Sequence, residues 1–233
     1  MQSDQTEGFC WAELPPDDVL AILSAQAKAG DRAVSGFLDT HQWAPLTGRS
    51  NLLIDGGHPA AQFRRVALGA DSIEVVYYRL AREAWPDQIR TARQLRAWLY
   101  GAGAADSSLG DIVMGDEALL TADPAAGLAQ LGLPLVGADG WQPPILKATR
   151  STAASSRADA VVGTLFRVSR GEAQTAIKYG FVYVNFQPLA KRTQALSAGD
   201  QVVYRTRGRA EVLSIETNPK SGRVWVEFNT YPA

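Results

Sequence analysis

Two sets of basic side chains in the last third of the chain have the types and spacing to grip phosphate. Arg170, Gln174 and Lys178 recur at i, i+4 intervals, which lines them up as a polar stripe on a helix. Arg205, Arg207 and Arg209 recur at every second residue, so an extended chain would project all three from one face. Lys191 and Arg192 fall in the loop between the two sets. A guanidinium is a planar fork that can donate two hydrogen bonds to one phosphate, which suits such residues to a polyanion. The charge distribution is equally uneven. Residues 1–146 hold 10 Lys and Arg against 18 Asp and Glu, net −8, whereas residues 147–233 hold 13 against 6, net +7. This is either a polyanion-binding module joined to an acidic body or a stable domain with a basic surface, and charge alone leaves both open.

Bond-breaking chemistry finds no comparable support. The chain has no G-x-x-x-x-G-K-[ST] loop, G-x-S-x-G elbow, H-E-x-x-H helix or paired C-x-x-C. His41 and His58 are the only histidines, without metal-ligand spacing, and read as structural or surface residues. Cys10 is the sole cysteine, so it has no disulfide or zinc partner, and no activating neighbour is visible. Asp55-Gly-Gly57 reads as a turn after a strand rather than as an exposed catalytic carboxylate. No metal or cofactor is expected.

The elements that must position the basic residues follow from periodicity. Asp17 to Ala29 reads as a helix behind Pro15-Pro16, and a short second helix is expected through Ala33, Phe37 and Leu38. Asn51 to Ile54 reads as a strand, Pro59 to Leu68 as a helix, Ile73 to Tyr78 as a strand and Thr91 to Tyr100 as a helix. Strands at Ile112–Met114, Ala118–Thr121 and Leu133–Val136 follow, with a short helix at Ala125–Leu131 before the last. Residues 48–146 therefore alternate as a small α/β sandwich would. Ser151-Thr-Ala-Ala-Ser-Ser156 is small, polar and aperiodic, and 147–156 is read as a linker. Beyond it, Val161, Val162, Leu165 and Phe166 share a helix face, and Ser169 with Glu172 forms a capping box for a second helix ended by Gly180. Phe181 to Asn185 alternates as a strand, and Gln201 to Arg205 is another. Glu211 to Thr217 pairs with a strand bearing Val224, Val226 and Phe228 across a turn at Asn218–Gly222.

Length and composition bound the rest. The chain has 233 residues, 46% hydrophobic and 20% charged, enough for one or two domains at ~150 residues each and inconsistent with wholesale disorder. No apolar run reaches the length of a membrane span, and Met1 to Glu7 lacks the basic and apolar regions of a signal peptide, so a cytoplasmic protein is expected.

The C-terminal residues carry a resemblance. Arg157-Ala-Asp159, Ser169-Arg170, Ala173, Ile177, Gly180, Val182, Val184-Asn185 and Gly199-Asp200 are similar to the RNA-binding module named after bacterial small-subunit ribosomal protein four. That family shows R-L-D, then S-R-x-x-A-x-x-x-I-x-x-G-x-V-x-V-N-G, then G-D. Two positions depart from it. Ala158 stands where Leu is usual, and Phe186 stands where Gly is usual, which implies a different turn after the strand. Phe37-Leu-Asp39, Asp55-Gly-Gly-His-Pro59 with Arg64-Arg65, Gly110-Asp-Ile-Val113, Arg207-Gly-Arg209 and Val212-Leu-Ser-Ile215 extend the resemblance to the YlmH family and its photosystem II-named relatives.

The resemblance implies an α+β chain with a helical leader (1–47), an RRM-like α/β domain (48–146), the linker, and a small two-helix RNA-binding module with a β extension (157–233). It implies a non-enzymatic RNA-binding protein acting on ribosomal RNA or tRNA, associated with a ribosomal subunit and with translation or its quality control. The residues it nominates for RNA are Arg157, Arg167, Arg170, Lys178, Lys191, Arg192, Arg205, Arg207 and Arg209. Phe181 and Tyr183 lie opposite Val182 and Val184 and could stack on bases, although a core position is expected for Phe181. Tyr77 and Tyr78 face opposite sides of their strand, and Trp225 is unassigned. Pseudouridine synthases also carry the module, but ahead of a larger catalytic domain, and Gly48-Arg49-Ser50-Asn51 lacks the aspartate of their G-R-L-D loop. A third alternative is a protein-interaction factor for cell division or photosystem assembly, working through the acidic N-terminal half.

Overall fold

Helix α1 (Pro16–Ala29) starts where two prolines preset the backbone and stops where Gly30 turns left-handed at φ 83°. Asp17 and Asp18 lie in its first turn and Lys28 in its last, each matching the helix dipole, and Val19 and Leu23 are buried. The computed structural model describes residues 11, 14–142, 148–205 and 207–232, so Cys10 and Lys147 lie outside the described residues. The chain divides into two compact units, Met1–Pro144 and Ile145–Ala233.

In the first unit, residues 33–38 are extended rather than helical. Val34 bridges Ala67 and Leu38 bridges Arg64. The expected helix at Pro59–Leu68 is also absent: loop leads into strand β2 (Arg65–Leu68), which pairs antiparallel with β1 (Leu52–Asp55), Leu52 opposite Leu68. Helical spacing of small apolar residues gave way here to strand pairing with a partner the local pattern does not contain. Helix α2 (Thr40–Trp43) carries a complete capping box between Asp39 and Gln42.

The rest of this unit is a four-stranded antiparallel sheet of β3 (Val76–Ala81), β4 (Leu109–Met114), β5 (Glu117–Ala122) and β6 (Leu135–Ala138), in the order β4-β5-β3-β6. Helix α3 (Ala92–Gly101), capped reciprocally by Thr91 and Gln94, packs Leu95 and Leu99 into the core beneath it. The helix expected at Ala125–Leu131 is a short 3₁₀ turn at Leu128–Leu131.

The leader belongs to the same unit as the sheet. Gly110 has no room for a Cβ, which would stand 2.5 Å from the Phe37 ring and 2.2 Å from Thr121 Oγ1. Next to it, buried Asp111 accepts from the Gln62 and Phe63 amides at 3.0 Å and lies 3.1 Å from Nε2 of His58. His58 stacks on Trp141 at 4.0 Å, the structural role expected of it. Asp55 accepts from the Gly57 amide at 2.8 Å, so Asp55-Gly-Gly57 is a turn.

In the second unit, Thr149–Ala153 is strand β7, not linker. It pairs with β12 (Val224–Pro232), Ala153 opposite Val224. Small polar residues can be strand residues when a distant partner supplies the ladder. Helices α4 (Ala158–Leu165) and α5 (Arg170–Lys178) pack against each other and on the sheet, which continues through β8 (Val182–Val184), β9 (Gln187–Pro188), β10 (Gln201–Tyr204) and β11 (Gly208–Thr217). The order is β7-β12-β11-β10-β8-β9, antiparallel throughout. Both units are thus mixed α and β with antiparallel sheets. Among the described residues no helix is long and apolar enough to cross a membrane.

Candidate nucleic-acid interface

Asp159 sits in the first turn of α4, where a carboxylate suits the helix dipole, yet its side chain is fully buried. A buried carboxylate needs partners, and three side chains converge on it. Oδ1 accepts from Nε of Arg157 at 3.2 Å. Oδ2 accepts from Nη2 of Arg157 at 3.2 Å, from Nε and Nη2 of Arg170 at 3.1 and 3.0 Å, and from Nε2 of Gln174 at 2.8 Å. Burial by itself pushes the Asp159 carboxyl up; hydrogen bonds from Arg157, Gln174 and Arg170, with the charge of Arg170, outweigh it and hold the carboxyl down at about 2.

Gln174 extends the network, its Oε1 accepting from Nη1 of Arg192 at 3.3 Å, while the Asp159 amide donates to the Arg192 carbonyl at 3.1 Å. Arg157, Arg170 and Arg192 therefore come together from the starts of two helices and from the loop before β10. Two guanidiniums and the Gln174 amide meet one carboxylate, with Arg192 joined through Gln174, and the side chains of Arg157 and Arg170 remain 39% and 51% exposed, so positive charge is held in place and still open to solvent. Lys191 is exposed in the same loop as Arg192, and Arg167 is exposed in the α4–α5 turn at φ 54°. That turn is tight because Gly163 lets the Val168 carbonyl lie 3.1 Å from where a Cβ would stand.

Lys178 is exposed at the far end of α5, its ammonium 5.6 Å from the centroid of the Tyr179 ring. The expected arginine row at 205, 207 and 209 is not there. β10 ends at Tyr204, the chain turns back, and β11 starts at Gly208 with φ 104°, so strand alternation does not run through the three residues. Arg205 donates its amide to the Phe181 carbonyl at 2.9 Å. Arg207 ion-pairs with Glu172 at 2.8 Å, tying the hairpin to the first turn of α5. This contact takes the place of the second half of the Ser169–Glu172 capping box: Ser169 Oγ accepts from the Glu172 amide at 3.1 Å, but Glu172 turns to Arg207. Arg209 is buried, with its guanidinium 4.3 Å over the Tyr231 ring, and presents no fork to a ligand.

The aromatic residues exchange roles. Tyr183 is buried, while Phe181 is 39% exposed and Tyr179, which sequence reasoning passed over, is 64% exposed. Asp159 and Gln174 were also missed as organisers of the arginines. The signal for Asp159 was its place two residues after Arg157 in the motif, and for Gln174 its place between Arg170 and Lys178. After Asn185 the turn keeps the form glycine would give: Asn185 and Phe186 have φ of 50° and 63°, and Val184 pairs with Gln187.

No family model matches the chain. A relative does. Over 222 residues the chain is 27% identical to the ribosome-associated protein quality control protein P2 of Bacillus subtilis, covering 84% of this chain and 86% of the relative. The similarity therefore takes in most of both proteins rather than a single module.

Proposed function

We propose that this protein binds structured RNA through its second unit and works on the ribosome in translation quality control, without catalysing a reaction itself. The observation that carries the reading is the buried Asp159 carboxylate, which fixes Arg157 and Arg170 while leaving 39% and 51% of their side chains in solvent. Arginines whose geometry is set before the ligand arrives lose less entropy on binding phosphate. The net charge of +7 over residues 147–233 gives the same unit an attraction for polyanions, and the name of the Bacillus subtilis relative supplies the ribosomal setting. The two helices, followed by the strand that bears Val182 and Val184, support the resemblance to the ribosomal-protein-four module. The order β4-β5-β3-β6, with α3 between its first two strands in sequence, supports the RRM-like one.

Contacts of this kind position a protein on an A-form backbone and read little sequence, so specificity comes from RNA shape. Arg167, Lys178 and Lys191 can add phosphate contacts without touching the Asp159 network, and Arg192 adds one from its edge, where it donates to Gln174. The acidic first unit is the side on which a protein partner would dock. The test is cosedimentation of the full chain with isolated ribosomal subunits and with bulk tRNA. It is run beside a variant carrying Arg167→Ala, Lys178→Ala, Lys191→Ala and Arg192→Ala. Saturable binding lost in the variant, with an unchanged melting curve, is the expected result; equal binding by both proteins would overturn it.

A further inference from the structure

Exposed large hydrophobic side chains are few among the described residues, namely Val136, Tyr179, Phe181 and Leu213, and two of them lie within three positions of each other. Both of these are aromatic. They flank Gly180, which ends α5 at φ 73° in a Schellman turn: the Gly180 amide donates to the Ile177 carbonyl at 3.1 Å and the Phe181 amide to the Ala176 carbonyl at 2.9 Å. In that motif the residue at Phe181 usually packs on the one at Ala176. A methyl group is too small to cover a phenyl ring, and 39% of Phe181 stays in solvent.

The backbone beneath the rings is rigid. The Phe181 carbonyl accepts from Arg205, so both its main-chain groups are engaged, and Val182 is already paired with Tyr204 in the sheet. A cation borders the pair: the Lys178 ammonium lies 5.6 Å from the centroid of the Tyr179 ring, and Arg205 is hydrogen-bonded through its amide to the Phe181 carbonyl. Exposed aromatic faces on a fixed backbone, bordered by positive charge, match the chemistry of an unpaired nucleotide: a flat base and a phosphate.

We propose that Tyr179 and Phe181 form a stacking platform for an unpaired base of the bound RNA, at the opposite end of α5 from the Asp159 arginines. This rests on the RNA-binding reading above and adds to it a preference for RNA with a single-stranded loop or bulge next to a helix. The arginine cluster holds the paired part by its backbone, and the platform selects the unpaired part.

The experiment uses the full chain and two RNA probes of equal length, a hairpin with 2-aminopurine in its loop and a fully paired duplex. The variants are Tyr179→Ala with Phe181→Ala, and Tyr179→Phe with Phe181→Tyr. The native chain is expected to bind the hairpin more tightly than the duplex and to quench the loop fluorophore. The alanine pair is expected to lose about 5- to 100-fold in hairpin affinity together with the quenching, and nothing on the duplex. The aromatic swap should restore both. Hairpin binding unchanged in the alanine pair would overturn the platform while leaving the RNA reading standing; no binding of either probe by the native chain would overturn both. If the alanine pair binds RNA normally but loses cosedimentation with ribosomal subunits, the rings meet protein and the proposal fails.

Discussion

Arg170 directs both Nε and Nη2 to a single oxygen of Asp159, Oδ2, at 3.1 and 3.0 Å, across the junction between α4 and α5. The pair joins the two helices of the second unit and aims a guanidinium outward, so one contact serves both stability and the candidate interface.

Its pH dependence follows from the Asp159 carboxyl, which is held at about 2 against an ordinary 3.8. Between those values the unfolded chain binds a proton that the folded chain does not, so stability rises with pH in that window. The contribution is fully present above about pH 5 and is lost as pH falls through the folded value, amounting to about 2 kcal/mol. Urea unfolding of the native chain and of Asp159→Asn, compared from pH 2 to 6, should show a gap that closes at the acid end.

Salt dependence measures the phosphate contacts. With about four to six phosphates neutralised, log affinity for ribosomal subunits should fall against log salt with a slope of about −3 to −5. Arg192→Ala should make the slope shallower by about 1. A filter-binding titration across salt concentrations reads both numbers, and a slope near zero would rule out electrostatic capture.

Arg209 makes the opposite case. It is buried against Tyr231, and removing it should cost about 2 kcal/mol of stability through the lost cation–π contact and packing. RNA affinity of the folded Arg209→Ala protein should not change. Calorimetry and RNA titration on the same preparation separate the two effects.

Much of α5 and its surroundings was legible in the sequence because their signals are local. Ser169 caps, Gly180 terminates, and Val182 and Val184 enter the core, each decided by residues a few positions away. The Pro59–Leu68 helix and the 151–156 linker failed for the converse reason. β2 is settled by β1 and by the extended segment at Val34 and Leu38, and β7 is settled by Val224–Phe228, some 70 positions along the chain. At the candidate site, residue types were readable but their partners were not. Nothing in the spacing of Arg205, Arg207 and Arg209 shows that the chain reverses between them, or that Glu172 would take Arg207 and Tyr231 would take Arg209.

The β7–β12 ladder also sets an order of events during synthesis. β7 is the first strand of its sheet to be made and β12 the last, with about 70 residues between Ala153 and Val224. At roughly 5–20 residues per second, β7 waits some 4–14 s for its only neighbour. The α4–α5 pair and the strands from β8 to β11 can assemble in that interval, but the sheet stays one edge short until β12 has emerged. Arg157, Asp159 and Arg170 are all made within that interval, so the carboxylate and its arginines can meet on a unit whose last hydrogen-bonded row is still open.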